Sequence, residues 1–145
     1  MSADTVLHVE DDPNDVLLFQ HACQKAGVAL NLRVVADGAE AIAYLRGTDG
    51  FADRQQHPLP RLVLLDLKMP RVNGFEVLAW IRKEKSFRSL PVVVLSSSNH
   101  AVDVQRAYDV GANSYLVKPV DFNSLVALAG NVHQYWLTLN EWPCR

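Results

Sequence analysis

Polar residues able to do chemistry fall in this chain where short apolar runs end. Leu62-Val63-Leu64-Leu65 leads straight into Asp66, and Val6-Leu7-His8-Val9 leads into Glu10-Asp11-Asp12. Pro91-Val92-Val93-Val94-Leu95 ends at Ser96, and Ser114-Tyr115-Leu116-Val117 ends at Lys118-Pro119. Continuous apolar runs of this length suit strands buried on both faces of a parallel sheet. Ligands bind outside the carboxyl ends of such strands. Asp66 alone reads equally well as a turn or helix cap. Together with the other strand ends, it reads as part of a reactive edge.

Two carboxylates about 5 Å apart at an effective dielectric near 20 repel by roughly 3 kcal/mol, or about two pKa units. Glu10, Asp11 and Asp66 brought together would therefore take up a proton or recruit a cation. Hard oxygen ligands favour Mg²⁺, which accepts one or two carboxylates and keeps open positions for phosphate oxygens. Zinc is disfavoured: it wants several nitrogen or sulfur ligands, and His8, alone inside the first strand, reads as a packed core residue. A carboxylate beside such a cation can act as a nucleophile and form an aspartyl phosphate. Lys118 would supply a point charge and Ser96 a hydroxyl. Singly, Ser96 reads as a strand-end residue and Tyr115 as a core aromatic. The functional reading rests on the combination.

The remaining sequence supplies elements to position these groups. Asp12 as N-cap, Pro13 at the first helical position and Asp15 in the first turn open a helix that runs to Ala26, with Gly27 just beyond it. Leu18, Ala22, Cys23 and Ala26 are expected to face inward. Leu32–Ala36 reads as a second strand, and Asp37-Gly38 opens a second helix. Phe75, Leu78 and Ala79, widened by Val77, Trp80 and Ile81, mark the inner face of a third. A fourth helix covers roughly His100 to Asp109, and a fifth runs from near Asp121 to about Trp136. The Gly47–Pro60 stretch, with its Pro and Gly residues and its polar run, reads as a long surface loop, more readily an inert insertion than a working segment. Strands and helices alternate five times, which implies a parallel sheet covered on both faces.

The chain has 145 residues, 49% hydrophobic and 21% charged, with a formal net charge of −2. That fits one globular domain. It offers no basic surplus for nucleic acid or an anionic membrane. No run is long enough to span a bilayer, and the start lacks the pattern of a signal peptide. Cys23 and Cys144 have no metal-ligand spacing: Cys23 is expected to pack, Cys144 to be free, and a cytoplasmic setting fits.

These residues resemble a receiver domain of two-component response regulators over about residues 5 to 136. The resemblance is carried by Glu10-Asp11, the Leu64–Pro70 segment around Asp66 with Gly74, Ser96 after Pro91–Leu95, and the run from Gly111 through Tyr115 to Lys118-Pro119. It implies a flavodoxin-like, doubly wound sheet of order 2-1-3-4-5 with five helices. It implies that Asp66 takes a phosphoryl group from a histidine of a sensor kinase. Mg²⁺ would be held by Glu10, Asp11, Asp66 and the main-chain carbonyl of Lys68. Ser96 and Lys118 would bind the phosphoryl oxygens, Tyr115 would swing inward as a switch, and a cis bond would precede Pro119. The domain would signal rather than turn over a substrate, apart from its own phosphotransfer and autodephosphorylation. Departures are modest: Glu-Asp for Asp-Asp, a third acid at Asp12 assigned to capping, and Ser96 where threonine is commoner.

Within that family the chain looks most like small single-domain regulators paired with phytochrome-type kinases. The supporting features are Val9-Glu10-Asp11, the long Gly47–Pro60 segment, Val92–Ser96 and the tail from His133 to Leu137. A receiver over 1–136 and an apolar tail over 137–145 leave no room for a helix-turn-helix. Output is then expected through protein contacts or onward phosphotransfer. Tyr135, Trp136, Leu137, Leu139 and Trp142 suggest a homodimer through helix five, strand five and the tail; folding of the tail onto its own domain is the alternative. Two rivals remain. A haloacid-dehalogenase-type phosphatase would carry a second acid where Lys68 stands. A plain interaction module would not need Asp66, Ser96 and Lys118 together. No Gly-rich phosphate loop follows any strand, which counts against nucleotide binding.

Overall fold

The computed structural model describes residues 5–143. Five strands, β1 (Thr5–Val9), β2 (Asn31–Val35), β3 (Leu62–Leu65), β4 (Val92–Ser96) and β5 (Ser114–Val117), form one parallel sheet in the order β2-β1-β3-β4-β5. The helices are α1 (Pro13–Ala26), α2 (Gly38–Arg46), α3 (Gly74–Lys83), α4 (Ala101–Val110) and α5 (Phe122–Val132). This is the flavodoxin-like topology implied by the family resemblance, built on the parallel sheet expected from the alternating pattern.

Alternation along each strand builds two cores. Val6, Leu62, Leu64, Val93 and Leu95 face α1 and α5, where Phe19, Ala22 and Ala129 cover them. Leu7, Val9, Val63 and Leu65 face the other way, against α2 and α3, and meet Tyr44, Val77, Leu78 and Ile81. All four residues of β3 are fully buried, as a central strand covered on both faces must be.

The local signals at the helix ends act as expected. Asp12 caps α1 by accepting from the Asn14 amide, and Gly27 closes it in the left-handed region at φ 72°. Gly74 is needed for a different reason: a Cβ there would lie 2.3 Å from the Asp66 carbonyl oxygen. The start of α3 therefore packs directly on the loop that carries Asp66.

Four expectations change. Leu18 is 46% exposed and Phe19 is buried in its place, because the Phe19 ring packs on His8 of β1 at 5.1 Å between centroids; Ala26 is only half-buried. Residues 47–60 are not a slack insertion. Arg54 donates to the carbonyls of Tyr44, Leu45 and His57, and the Tyr44 hydroxyl donates to the Pro58 carbonyl. The loop thus satisfies the end of α2, whose last carbonyls need partners. No cis peptide bond occurs among the described residues, so the bond before Pro119 is trans; the β4–β5 pairing runs up to it, with the Lys118 amide donating to the Ser96 carbonyl at 2.8 Å. The helical path also continues past Trp136, in wider π-helical turns over His133–Leu139. There Leu137 is buried against the α1–α5 side, and Trp142 packs partly on the same cluster with Arg61 over its ring. Part of the tail thus folds back on its own domain. Cys144 lies outside the described residues, while Cys23 is buried as a free thiol.

Candidate functional site

Register brings the site together. Val9 pairs with Leu65, so Glu10 and Asp66 leave the sheet side by side. The Asp66 amide donates to the Val9 carbonyl, and the Glu10 amide to the Val35 carbonyl. Ser96 pairs with Val117, which sets Lys118 one step beyond it. Four chain segments, separated by as many as 108 residues, thereby meet at one edge.

Glu10, Asp11 and Asp66 each present a carboxylate oxygen, and these atoms lie within 4.8 Å of one another. Glu10 and Asp66 are buried and Asp11 is exposed. This donor set, all oxygen and open to solvent at Asp11, fits a hard divalent cation. Lys68 follows in the exit loop of β3, and its amide hydrogen-bonds the Asp66 carboxylate.

Lys118 reaches over this cluster. Its ammonium donates to Glu10 Oε1 at 2.6 Å and to Asp15 Oδ2 at 2.9 Å, and stands 4.0 Å from Asp66 Oδ2. Burial works against its charge, but the bonds to Asp15 and Glu10 outweigh it and raise its pKa. Burial pushes Glu10 up to about 7, with the Asp66 charge adding and Lys118 opposing. Burial likewise raises Asp66, against the pull of Lys118. One cation thus serves a cluster of excess negative charge, and protons and metal ions compete for the remainder.

Ser96 is buried, and its hydroxyl oxygen accepts from the Ser98 amide at 3.1 Å. Half-buried Tyr115 donates its hydroxyl to the Ser98 carbonyl at 2.9 Å. Ser98 in turn donates to Asp103 of α4 at 2.6 Å. The β4–α4 loop therefore ties Ser96 to Tyr115 and to the first turn of α4.

Sequence reasoning placed Asp15 in the first turn of α1 and gave it no further role. Its signal was the tilt of helical side chains toward the N-terminus, which aims a first-turn acid back at the end of β1. His8 is buried as expected, but its Nδ1 has no hydrogen-bond partner. Burial first, then the nearby Lys118 charge, lower its pKa to about 4.

Known proteins resemble this chain in sequence and fold. Residues 6–129 match the family described as response regulator receiver domain. The chain is 38% identical over 138 residues to the probable methanogenesis regulatory protein FilR2 of Methanothrix harundinacea, covering 95% of this chain and 86% of that one. It is 33% identical over 138 residues to response regulator Rcp1 of Synechocystis, covering 95% and 92%. The crystal structure of the Mn²⁺-bound form of response regulator Rcp1 superposes with a TM-score of 0.85 at 31% identity, over 97% of this chain and 99% of that one. The phosphorylated cyanobacterial phytochrome response regulator RcpA superposes with a TM-score of 0.89 at 34% identity, over 99% and 100%. The family match over residues 6–129, with relatives aligned across nearly the whole chain, shows that this protein belongs to the response regulator receiver domain family.

Proposed function

We propose that Asp66 is the phosphoacceptor of a single-domain response regulator, taking its phosphoryl group from a histidine of a sensor kinase. The observation that carries this reading is the convergence of Glu10, Asp11 and Asp66 within 4.8 Å under the Lys118 ammonium. An Asp66 oxygen forms the new bond to phosphorus while the phosphorus–nitrogen bond to the kinase imidazole breaks. Glu10, Asp11, Asp66 and the Lys68 carbonyl would hold Mg²⁺. The cation supplies charge neutralisation for the phosphoryl oxygens. Lys118 is placed to pair with those oxygens, and the Ser96 hydroxyl to donate to one of them. Tyr115 would move with Ser96, since both bond to Ser98. The chain acts as a signalling domain, with catalysis confined to its own phosphotransfer and autodephosphorylation.

The likeness to phytochrome response regulators makes a phytochrome-type kinase the partner of choice. A receiver over 1–136 would present helix α5, strand β5 and the 137–145 tail to a second copy. Val117, Phe122, Tyr135 and Leu139 are exposed apolar residues of that region, beside a groove of about 380 Å³ lined by Leu116, Leu128 and Trp136. Among the described residues no helix is long and apolar enough to cross a membrane. A cytoplasmic role without nucleic-acid binding completes the reading.

The test is exposure to acetyl phosphate with Mg²⁺ followed by intact mass. One added phosphoryl group in the wild type and none in Asp66→Asn is the expected result. An unmodified wild type that is folded and binds the cation, or an adduct that persists in Asp66→Asn, would overturn the assignment.

A further inference from the structure

Behind the acidic edge, on the α1–α5 side of the sheet, lies a cavity of about 50 Å³. Its polar lining is His8, Glu10, Asp15 and Lys118; Phe19 and Leu125 are among its apolar walls. His8 is only 2% exposed, and its Nδ1 lacks a hydrogen-bond partner. A buried polar atom left unpaired is costly. A polar cavity of this size holds a water when two to four partners surround it.

Donor and acceptor accounting supplies those partners. The Lys118 ammonium has three N–H donors; one goes to Glu10 and one to Asp15. A third remains. His8 Nδ1, in the tautomer with its proton on Nε2, is an acceptor. A water between them accepts from Lys118 and donates to His8, and its second hydrogen can go to the Asp15 carboxylate. The His8 ring is held for this by Phe19 and by the pairing of β1 between β2 and β3.

We propose that His8 is a positioning residue, fixing the Lys118 ammonium over the acidic edge through one water buried in this cavity. The water completes the hydrogen-bond shell of Lys118 and holds it beside Asp66. The kinetic consequence rests on the reading of Asp66 as phosphoacceptor; the hydrogen bond itself does not.

The test uses the full chain with His8→Leu, which removes the polar atom, and His8→Asn, which keeps an acceptor. Phosphorylation by acetyl phosphate with Mg²⁺ is followed by intact mass, with urea unfolding alongside. His8→Leu should remain folded, because its apolar side chain takes the seat of the His8 ring against Phe19, yet phosphorylate about fivefold more slowly because the water loses its acceptor. His8→Asn should stay within about twofold of the wild type. Unchanged rates in His8→Leu overturn the inference, and so does equal slowing in both variants, which would mark a packing effect. A wild type that takes up no phosphate overturns the Asp66 reading instead. The hydrogen bond has its own readout in the metal-free wild type, whether or not a variant folds. Long-range ¹H–¹⁵N NMR should show His8 Nδ1 unprotonated and shifted as a hydrogen-bonded acceptor. A protonated Nδ1, or the shift of a free acceptor, overturns the proposal.

Discussion

Lys118 lies closer to Glu10 than to Asp66: its ammonium is 2.6 Å from Glu10 Oε1 and 4.0 Å from Asp66 Oδ2. A cation bound by Glu10 and the lysine therefore draw on the same carboxylate. Two unit charges about 4 Å apart at an effective dielectric near 20 interact by at most about 4 kcal/mol. Replacing Lys118 with Met removes both the competing donor and a repelling charge. Mg²⁺ affinity of Lys118→Met, measured by titration calorimetry, should rise about tenfold or more. Equal or weaker affinity would show that Lys118 does not contend for Glu10.

The same carboxylate makes cation binding depend on pH. With its pKa pushed up to about 7, Glu10 still carries a proton in mildly acid solution. An incoming cation must displace that proton, so apparent affinity falls as pH drops below about 7, toward a limit of about tenfold per unit, and levels off above it. Titrations from mildly acid to mildly alkaline pH should show this bend in the wild type and lose it in Glu10→Gln. An affinity flat across neutrality would place the Glu10 pKa back in the ordinary carboxylate range.

Gly74 couples the fold to the site. An added Cβ would meet the Asp66 carbonyl oxygen at 2.3 Å and Leu67 Cα at 2.6 Å, both backbone atoms. The loop carrying Asp66 must shift to make room. Gly74→Ala should lose about 2 kcal/mol or more by urea unfolding and should also phosphorylate more slowly. Gly130→Ala, where nothing stands within 4 Å, should do neither.

The exposed apolar face of α5, β5 and the tail tests the oligomer. Light scattering at micromolar concentration should report a dimer for the wild type. Tyr135→Asp combined with Leu139→Asp, both at exposed positions, should report a monomer of unchanged helicity. A monomeric wild type, with and without phosphorylation, would remove the dimer from the reading.

The elements were legible because their signals are local. Apolar runs mark buried strands, and Asp12, Asp37 and Asn73 accept from amides two or three residues on, as N-caps do. The side chains that lock the elements together were not legible. Arg82 stands in the last turn of α3. In the fold its guanidinium donates to the carbonyls of Gly111, Arg88 and Leu90 and to the Asn113 side chain, stitching α3 to the start of β4 and the α4–β5 turn. Arg54 does the same for α2. A long cation beside several backbone carbonyls leaves no trace in hydrophobic period, since its partners are mostly main-chain groups outside its own element, six to 31 residues away.

By itself the sequence determined which residues stand at strand ends, because burial on both faces of a parallel sheet demands continuous apolar runs and the polar residue that stops each run falls at the edge. Glu10, Asp11, Asp66, Ser96 and Lys118 were therefore visible as a set. Only the tertiary structure decided how they share charge. Asp15 joins Lys118 across 103 residues, Phe19 rather than Leu18 turns inward against His8, and Glu10 rather than Asp66 holds the lysine most closely. Those choices depend on strand register and on the distances it sets between groups far apart in sequence, 2.6 Å against 4.0 Å at Lys118, which no local pattern encodes.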